Sequence, residues 1–391
     1  MKDVFVVSAL RTPFGSFGGT LADVTAPELA SQVMTGVLNA SGLAGEQINE
    51  VIIGQVLQGG SAQAPARQAM RMAGLPDSVH AMTINKVCGS GLKAMMLAAD
   101  SIRLGDSELV IAGGMENMSL APYALPKARF GQRLGNGEVV DLIIYDGLQD
   151  PYSKRHMGEI TEDWVSSHGL TREDQDNYAI RSYQRSQAAV KNGTFADELV
   201  PVIKKSRKGD ITIAEDEEPF RGSIDKLPEL KPVFSKSGTI TAGNASTIND
   251  GAGLALLAGA EAVTQYGLKP IARLLASATN SIHPDLFAEA PVDAIRKCCA
   301  KANLQPSDIG LFEINEAFAS VPLVAIRQLG LDQDKVNVNG GAVSIGHPIG
   351  ASGARLVATL LREMNVRKEK YGLATLCIGG GEAVATIFEL L

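Results

Sequence analysis

Unbroken apolar runs alternating with amphipathic stretches organise most of this chain. Nine runs have the length and branched-aliphatic character of strands buried on both faces: 3–9, 50–56, 108–114, 253–259, 271–278, 309–315, 336–340, 372–379 and 383–390. Between them, apolar residues recur at three- and four-residue spacing over 26–40, 89–104, 291–302, 316–329 and 351–365, which predicts helices. Strands and helices in this alternation predict an α/β fold with helices covering both faces of its sheets.

Residues 119–249 break the pattern. They are more polar, contain Trp164, carry a charge-rich helical stretch at 158–192 and a Pro- and charge-rich stretch near 204–236. Their own apolar positions mark them as an inserted domain, not a linker. On either side the chain repeats itself. "GLAGEQINEVIIG" (42–54) resembles "NLQPSDIGLFEIN" (303–315), "SGLKAMMLAADSIR" (90–103) resembles "SGARLVATLLREMN" (352–365), and "IAGGMEN" (111–117) resembles "CIGGGEA" (377–383). The matches keep their order at offsets of 261 to 266 residues, which points to a duplication. The expected division is an N-terminal half of 1–118 with 250–270, an insert of 119–249, and a C-terminal half of 271–391.

A formal charge of −7 argues against a nucleic-acid partner. No apolar run approaches the roughly 20 residues of a membrane span, the start lacks a signal-peptide pattern and the end lacks a lipidation box, so a cytoplasmic protein is expected. The four cysteines, Cys88, Cys298, Cys299 and Cys377, form no C-x-x-C pair and no metal-ligand spacing, which fits a reduced chain without a metal site.

Four glycine-rich segments carry candidate chemistry. Cys88 in "NKVCGSGLKA" (85–94) stands where a strand turns into a helix, and a helix N-terminus there favours a thiolate nucleophile. Local sequence alone slightly favours a small buried apolar residue. His347 in "NGGAVSIGHPIGASGARL" (339–356) is a candidate general base, or a turn histidine bonded to backbone; the loop lacks G-x-x-x-x-G-K-[ST], so a phosphate cradle is a weak third reading. Asn315, with Glu316, follows an apolar strand and either caps the next helix or orients a water or oxyanion. Cys377 ends a strand before three glycines, whose N–H groups suit an oxyanion hole; it is otherwise a buried thiol. The duplication bears on these choices. Cys88 corresponds to Gly350, Asn85 to His347, Gly54 to Asn315 and Ile111 to Cys377. Scaffold positions agree while reactive ones differ, as expected of one asymmetric site assembled from both halves.

At this point the chain resembles the thiolase family, most closely its acetyl-CoA acetyltransferases. The likeness runs nearly end to end through "RTPFGSFGG" (11–19), "NKVCGSGLKA", "GGMENMS" (113–119), "DGLQDPY" (146–152), "HMG" (156–158), "TAGNASTINDGA" (241–252), "NEAF" (315–318), "GGAVSIGHPIGASG" (340–353) and "CIGGG" (377–381). It implies a five-layered αβαβα fold made of two duplicated α/β halves, with the insert as a CoA-binding loop domain. It implies that Cys88 is acylated, that His347 activates it, and that Cys377 is a second acid/base. Asn315 would hold a water that forms one oxyanion hole with His347, and the N–H groups of Cys88 and Gly379 would form the other. Leu148, His156, Met157, Phe234, Ala242, Ser246, Ala317 and Phe318 match pantetheine and adenine contacts, and Arg221 is the candidate for the adenine or phosphate end; Lys154 and Arg155 are unusual basic groups beside the pocket, candidates to meet CoA phosphates.

The implied reaction is the reversible, ping-pong conversion of two acetyl-CoA into acetoacetyl-CoA and CoA. Coenzyme A and acetyl-CoA act as substrates and no permanently bound cofactor is expected. A homotetramer, a dimer of dimers, is implied, with 120–142 as the tetramerisation loop. The nearest alternative is a broader 3-ketoacyl-CoA thiolase of fatty-acid β-oxidation. A decarboxylating synthase of the same fold would lack the second thiol, and a silent CoA-binding scaffold would lack site residues. One departure concerns the acyl pocket: "FAEAP" (287–291) stands where the family pattern often reads Met-Gly-x-Gly-Pro.

Overall fold

The computed structural model describes residues 2–391. The N-terminal half comprises β1 (Val4–Arg11), α1 (Ala26–Ser41), β2 (Glu50–Gly54), α2 (Pro65–Met72), β3 (His80–Ile84), α3 (Ser90–Leu104) and β4 (Leu109–Asn117). The chain then passes through 118–248, which contains α4 (Met157–Ser167) and α5 (Arg172–Lys191), and returns as β5 (Asn249–Gly259). The second half comprises β6 (Ala272–Ser281), α6 (Ala290–Ala302), β7 (Leu311–Ile314), α7 (Ser320–Leu329), α8 (Ser352–Arg367), β8 (Tyr371–Ile378) and β9 (Glu382–Leu390).

The strands lie in the order β7-β8-β9-β6-β1-β5-β4-β2-β3. Each half repeats one arrangement: its first strand lies antiparallel to its last (β1·β5, β6·β9), the last lies antiparallel to the strand after the central helix (β5·β4, β9·β8), and that strand is parallel to the second (β4·β2, β8·β7). The halves meet through a narrow seam in which only Phe5 and Val6 pair with Arg273 and Ala272. Helices α3 and α8 pack side by side between the sheets, around Leu92, Met95, Leu356, Leu360 and Met364. Helices α1 and α2 cover the outer face of one sheet, and α6 and α7 that of the other. The result is the expected succession of helix, sheet, helix, sheet and helix.

Local chemistry explains the boundaries. Thr25 and Glu28 bond reciprocally across the start of α1, with Pro27 in its first turn, and Gly42 closes the helix at φ 69°. The stretch 158–192 is two helices, because Gly169 turns the backbone to φ 65° between them. Three expectations need correction. Residues 336–340 make only isolated bridges, since the side-chain amide of Asn337 bonds both Ile314 N and Ile314 O (2.8 Å each) in place of a ladder, at φ 47°. The helix expected from 316 starts at Ser320: Ala317 O accepts from Ser246 N (3.0 Å) and Ala319 N donates to Asn244 O (2.9 Å). Strand β3 and helix α2 were not expected; β3 is a half-exposed edge strand without an unbroken apolar run.

The insert leaves and returns at neighbouring points, because Asn117 pairs with Asp250. It is tied down by Arg11 at the end of β1, fully buried, whose guanidinium bonds Glu198 (2.6 Å) and Asp216 (2.6 and 2.8 Å).

Candidate active site

The turn after β3 presents Cys88. Val87, immediately before it, sits at φ 46°, a strained conformation for a β-branched residue costing about 1–3 kcal/mol. The surroundings enforce it: Asn85 Oδ1 accepts from Val87 N (2.9 Å), and Ser90 Oγ accepts from Lys86 N (2.8 Å) while donating to Val87 O (2.7 Å). Close contact between the halves supports this turn. A Cβ on Gly91 would lie 3.0 Å from Gly350 O and 3.1 Å from Ala354 N.

The thiol of Cys88 shares its cavity with Gly379, and the backbone N–H groups of Gly379 and of Cys88 itself are close enough to stabilise it. These groups favour a thiolate, but burial and the charge of Glu116 outweigh them and push the thiol up to about 11. The helix terminus therefore does not deliver the thiolate anticipated from sequence. Cys88 remains partly open to a cavity, so the full penalty applies once an occupant excludes water.

His347 comes from the other half, with its backbone N–H on Asn249 Oδ1 (2.9 Å), its Nδ1 2.5 Å from Ser352 Oγ, and its Nε2 3.3 Å from Asn315 Nδ2. Burial, then the positive charge of Arg355, lower it to about 3, so it is a neutral imidazole. Asn315 is fully buried, and its Oδ1 has no donor among the described residues. Cys377, at the end of β8, is raised well above the ordinary thiol range by burial and by the neighbouring Cys88. Burial above all thus keeps both thiols protonated at rest beside an unprotonated imidazole.

Two carboxylates brace the site. Glu116 accepts from Val56 N (3.0 Å), Leu57 N (3.1 Å) and Gly350 N (2.9 Å), joining loops of both halves under Cys88; burial raises it to about 7. Glu316 accepts from Tyr178 and Ser182 of α5 (2.8 Å each), Asn337 (2.9 Å) and Val343 N (3.1 Å), anchoring the segment that carries Asn315 to the insert.

The cavity has a volume of about 240 Å³. Cys88, His347, Cys377 and Gly379 line its floor, and Asn315 lies directly behind His347. Its walls include Leu148, His156, Met157, Phe234, Ser246, Ala317 and Phe318, all anticipated from sequence. His156 stacks on Phe234 (4.9 Å between centroids), and Phe318 meets both Phe234 and Phe287 edge-on. Ala242 is exposed and Arg221 is held on Glu218 (3.3 Å); neither lines the cavity. Arg155 is engaged by Asp163 (2.6 Å). Met118, Ile248 and Ile349 line it without having been anticipated. The signal for Met118 and Ile248 lay in position, since they flank the points where the insert leaves and returns. Among the described residues no cluster of three or more His, Cys, Asp or Glu side chains could hold a metal, and no helix is long and apolar enough to cross a membrane.

Comparison with known proteins decides the family. The thiolase N-terminal domain model matches residues 4–261 and the thiolase C-terminal domain model residues 268–390. The chain belongs to the thiolase family. Among thiolases it is 50% identical to an acetyl-CoA acetyltransferase of Cupriavidus necator over 391 residues, the whole of both chains. It is 47% identical to one of Escherichia coli, again over 100% of both. The crystal structure of the Bacillus anthracis acetyl-CoA acetyltransferase superimposes with a TM-score of 0.98 at 42% identity, covering 100% of this chain and 99% of that one.

Proposed function

We propose that the protein is an acetyl-CoA C-acetyltransferase, which makes acetoacetyl-CoA and CoA from two acetyl-CoA and runs the reverse thiolysis. The observation that carries this reading is the meeting of two thiols and one neutral imidazole on the floor of a single apolar cavity, drawn from both halves. In the first step Cys88 Sγ attacks the thioester carbonyl while His347 takes the thiol proton. The oxyanion is met by the N–H groups of Cys88 and Gly379. Collapse breaks the C–S bond to CoA, whose thiolate receives a proton from Cys377, leaving acetyl-Cys88.

In the second step the Cys377 thiolate takes a proton from the methyl carbon of a second acetyl-CoA. The enolate oxygen is held by His347 and by a water on Asn315, and the carbanion attacks acetyl-Cys88. The new C–C bond forms as the bond to Cys88 Sγ breaks, and His347 returns the proton to Cys88. The aromatic wall of Phe287 and Phe318 favours short acyl groups over the longer ones of a β-oxidation thiolase.

The insert 119–249 acts as the CoA-binding loop domain, with Leu148, His156, Met157, Phe234, Ser246, Ala317 and Phe318 along pantetheine and Ala242 and Arg221 at the outer end. The enzyme works in the cytoplasm as a homotetramer. Support for assembly is the apolar surface of 120–142, where Phe130 is 81% and Leu134 99% exposed. The test is intact-protein and peptide mass spectrometry after mixing with acetyl-CoA. One acetyl group on Cys88 is expected, and a folded protein without it overturns the proposal.

A further inference from the structure

The imidazole of His347 has a partner that the reaction scheme does not use. Its Nδ1 lies 2.5 Å from Oγ of Ser352, in the first turn of α8, and the same oxygen lies 2.9 Å from the carbonyl oxygen of Pro348. A carbonyl only accepts, so the single hydroxyl proton of Ser352 is committed to Pro348. Only lone pairs remain for the ring, and the contact must be donated by Nδ1–H. The neutral ring then carries no proton on Nε2, which faces the amide donor of Asn315 at 3.3 Å. Both sides of the ring call for one tautomer.

The duplication supplies an internal control. Ser90 occupies in α3 the place of Ser352 in α8. Its hydroxyl donates to Val87 O (2.7 Å) and accepts from the backbone N–H of Lys86 (2.8 Å). The hydroxyl is used in the same sense in both halves; the second half puts an imidazole N–H where the first has an amide. Ser352 and His347 are both buried, at 1% and 4% exposure. The charged and titratable groups around the ring are Arg355 on α8, its partner Glu313 on β7 (2.8 Å), Glu116 on β4 through Gly350, and the thiols of Cys88 and Cys377. No carboxylate bonds Nδ1 among the described residues.

We propose that Ser352 is the positioning residue of this site: it locks His347 in the Nδ1–H tautomer, with Nε2 free to take the proton of Cys88. This deepens the acetyltransferase reading and rests on it. Because the acceptor is a neutral hydroxyl and not a carboxylate, the ring is oriented without being made to hold the proton it receives.

The experiment compares Ser352→Ala, Ser352→Thr and Ser352→Asp with the wild type, by thiolysis of acetoacetyl-CoA and by the pH dependence of iodoacetamide alkylation of the Cys88 peptide. S352A should lower kcat about 10- to 100-fold, as loss of an orienting partner does, with KM for CoA unchanged. S352T should recover most of that loss. S352D should move the onset of Cys88 alkylation down by a pH unit or more, because a carboxylate on Nδ1 stabilises the imidazolium and with it the Cys88 thiolate. Wild-type kcat in S352A overturns the proposal. So does a loss of activity in S352A and S352D with an unmoved alkylation profile in both, which would be the mark of a merely structural hydroxyl. Failure of wild-type Cys88 to accept an acetyl group would overturn the acetyltransferase reading instead, since alkylation needs no CoA chemistry and still reports on the ring.

Discussion

Gly114 lies in the middle of β4, where the strand passes under the loop that carries His347. A Cβ built there falls on the carbonyl oxygen of Gly350, with the carbonyl carbon 2.8 Å and Ala351 Cα 3.0 Å away. Carbon atoms pack at about 3.5–4.0 Å, so in Gly114→Ala the 350–351 segment must retreat by roughly 1 Å. That segment is pinned by Glu116 through Gly350 N and continues into the first turn of α8. Overpacking of this kind costs about 1–3 kcal/mol. A displacement near 1 Å at a catalytic group costs about a hundredfold in rate. Gly114→Ala should therefore lower the urea midpoint and cut kcat for acetoacetyl-CoA thiolysis by roughly two orders of magnitude. The control is Gly222→Ala, whose Cβ meets nothing within 4 Å and which should leave both unchanged or add a few tenths of a kcal/mol. A Gly114→Ala enzyme with wild-type kcat and midpoint would refute the claim that this contact sets the position of the His347 loop.

Arg11→Met should cost about 3–5 kcal/mol, because Glu198 and Asp216 are left buried without their cation. Burial already raises Glu198; a raised carboxyl is stable in the fold when protonated and loses that stability as pH rises, so the defect, read as a melting temperature, should be smaller at about pH 5 than at pH 8. For wild-type Cys88, a thiol pushed up by burial predicts alkylation that is still climbing with pH above the ordinary thiol range; a plateau near neutrality would show a thiolate–imidazolium pair at rest. Cys377→Ala should still accept one acetyl group on Cys88 yet fail to form acetoacetyl-CoA, as followed by mass spectrometry and product absorbance; unchanged condensation would refute the role of second base proposed for it.

The duplicated α/β layering was legible because each half buries its central strands on both faces, leaving continuous apolar runs. The edge strand His80–Ile84 was not, since its half-exposed residues lack such a run. Residues 336–340 read as a strand because nothing local reveals that Asn337 substitutes its side chain for a ladder. Cys88, His347 and Cys377 stood out through their glycine-rich settings, but the bond between Asn315 and His347 depends on a tertiary contact that no spacing encodes. Glu116 left a trace that was available: a carboxylate inside a strand buried along its whole length must be bonded to something. Ser352 left none, since a serine in a helical first turn usually serves the helix alone.

The seam between the halves also orders the chain in time. Apart from a bridge between Arg11 and Leu199, β1 pairs only with β5 and β6, so most of the first strand synthesised has no partner until residue 249 and those after it exist. Cys88 emerges early, while His347 and Cys377 belong to the last fifty residues. A ribosome-bound chain thus displays Cys88 before His347 and Cys377 exist, and the proposed site is complete only once the penultimate strand, which carries Cys377, has docked. Long-range pairing of this kind folds slowly, and a site drawn from both halves cannot form before both halves have.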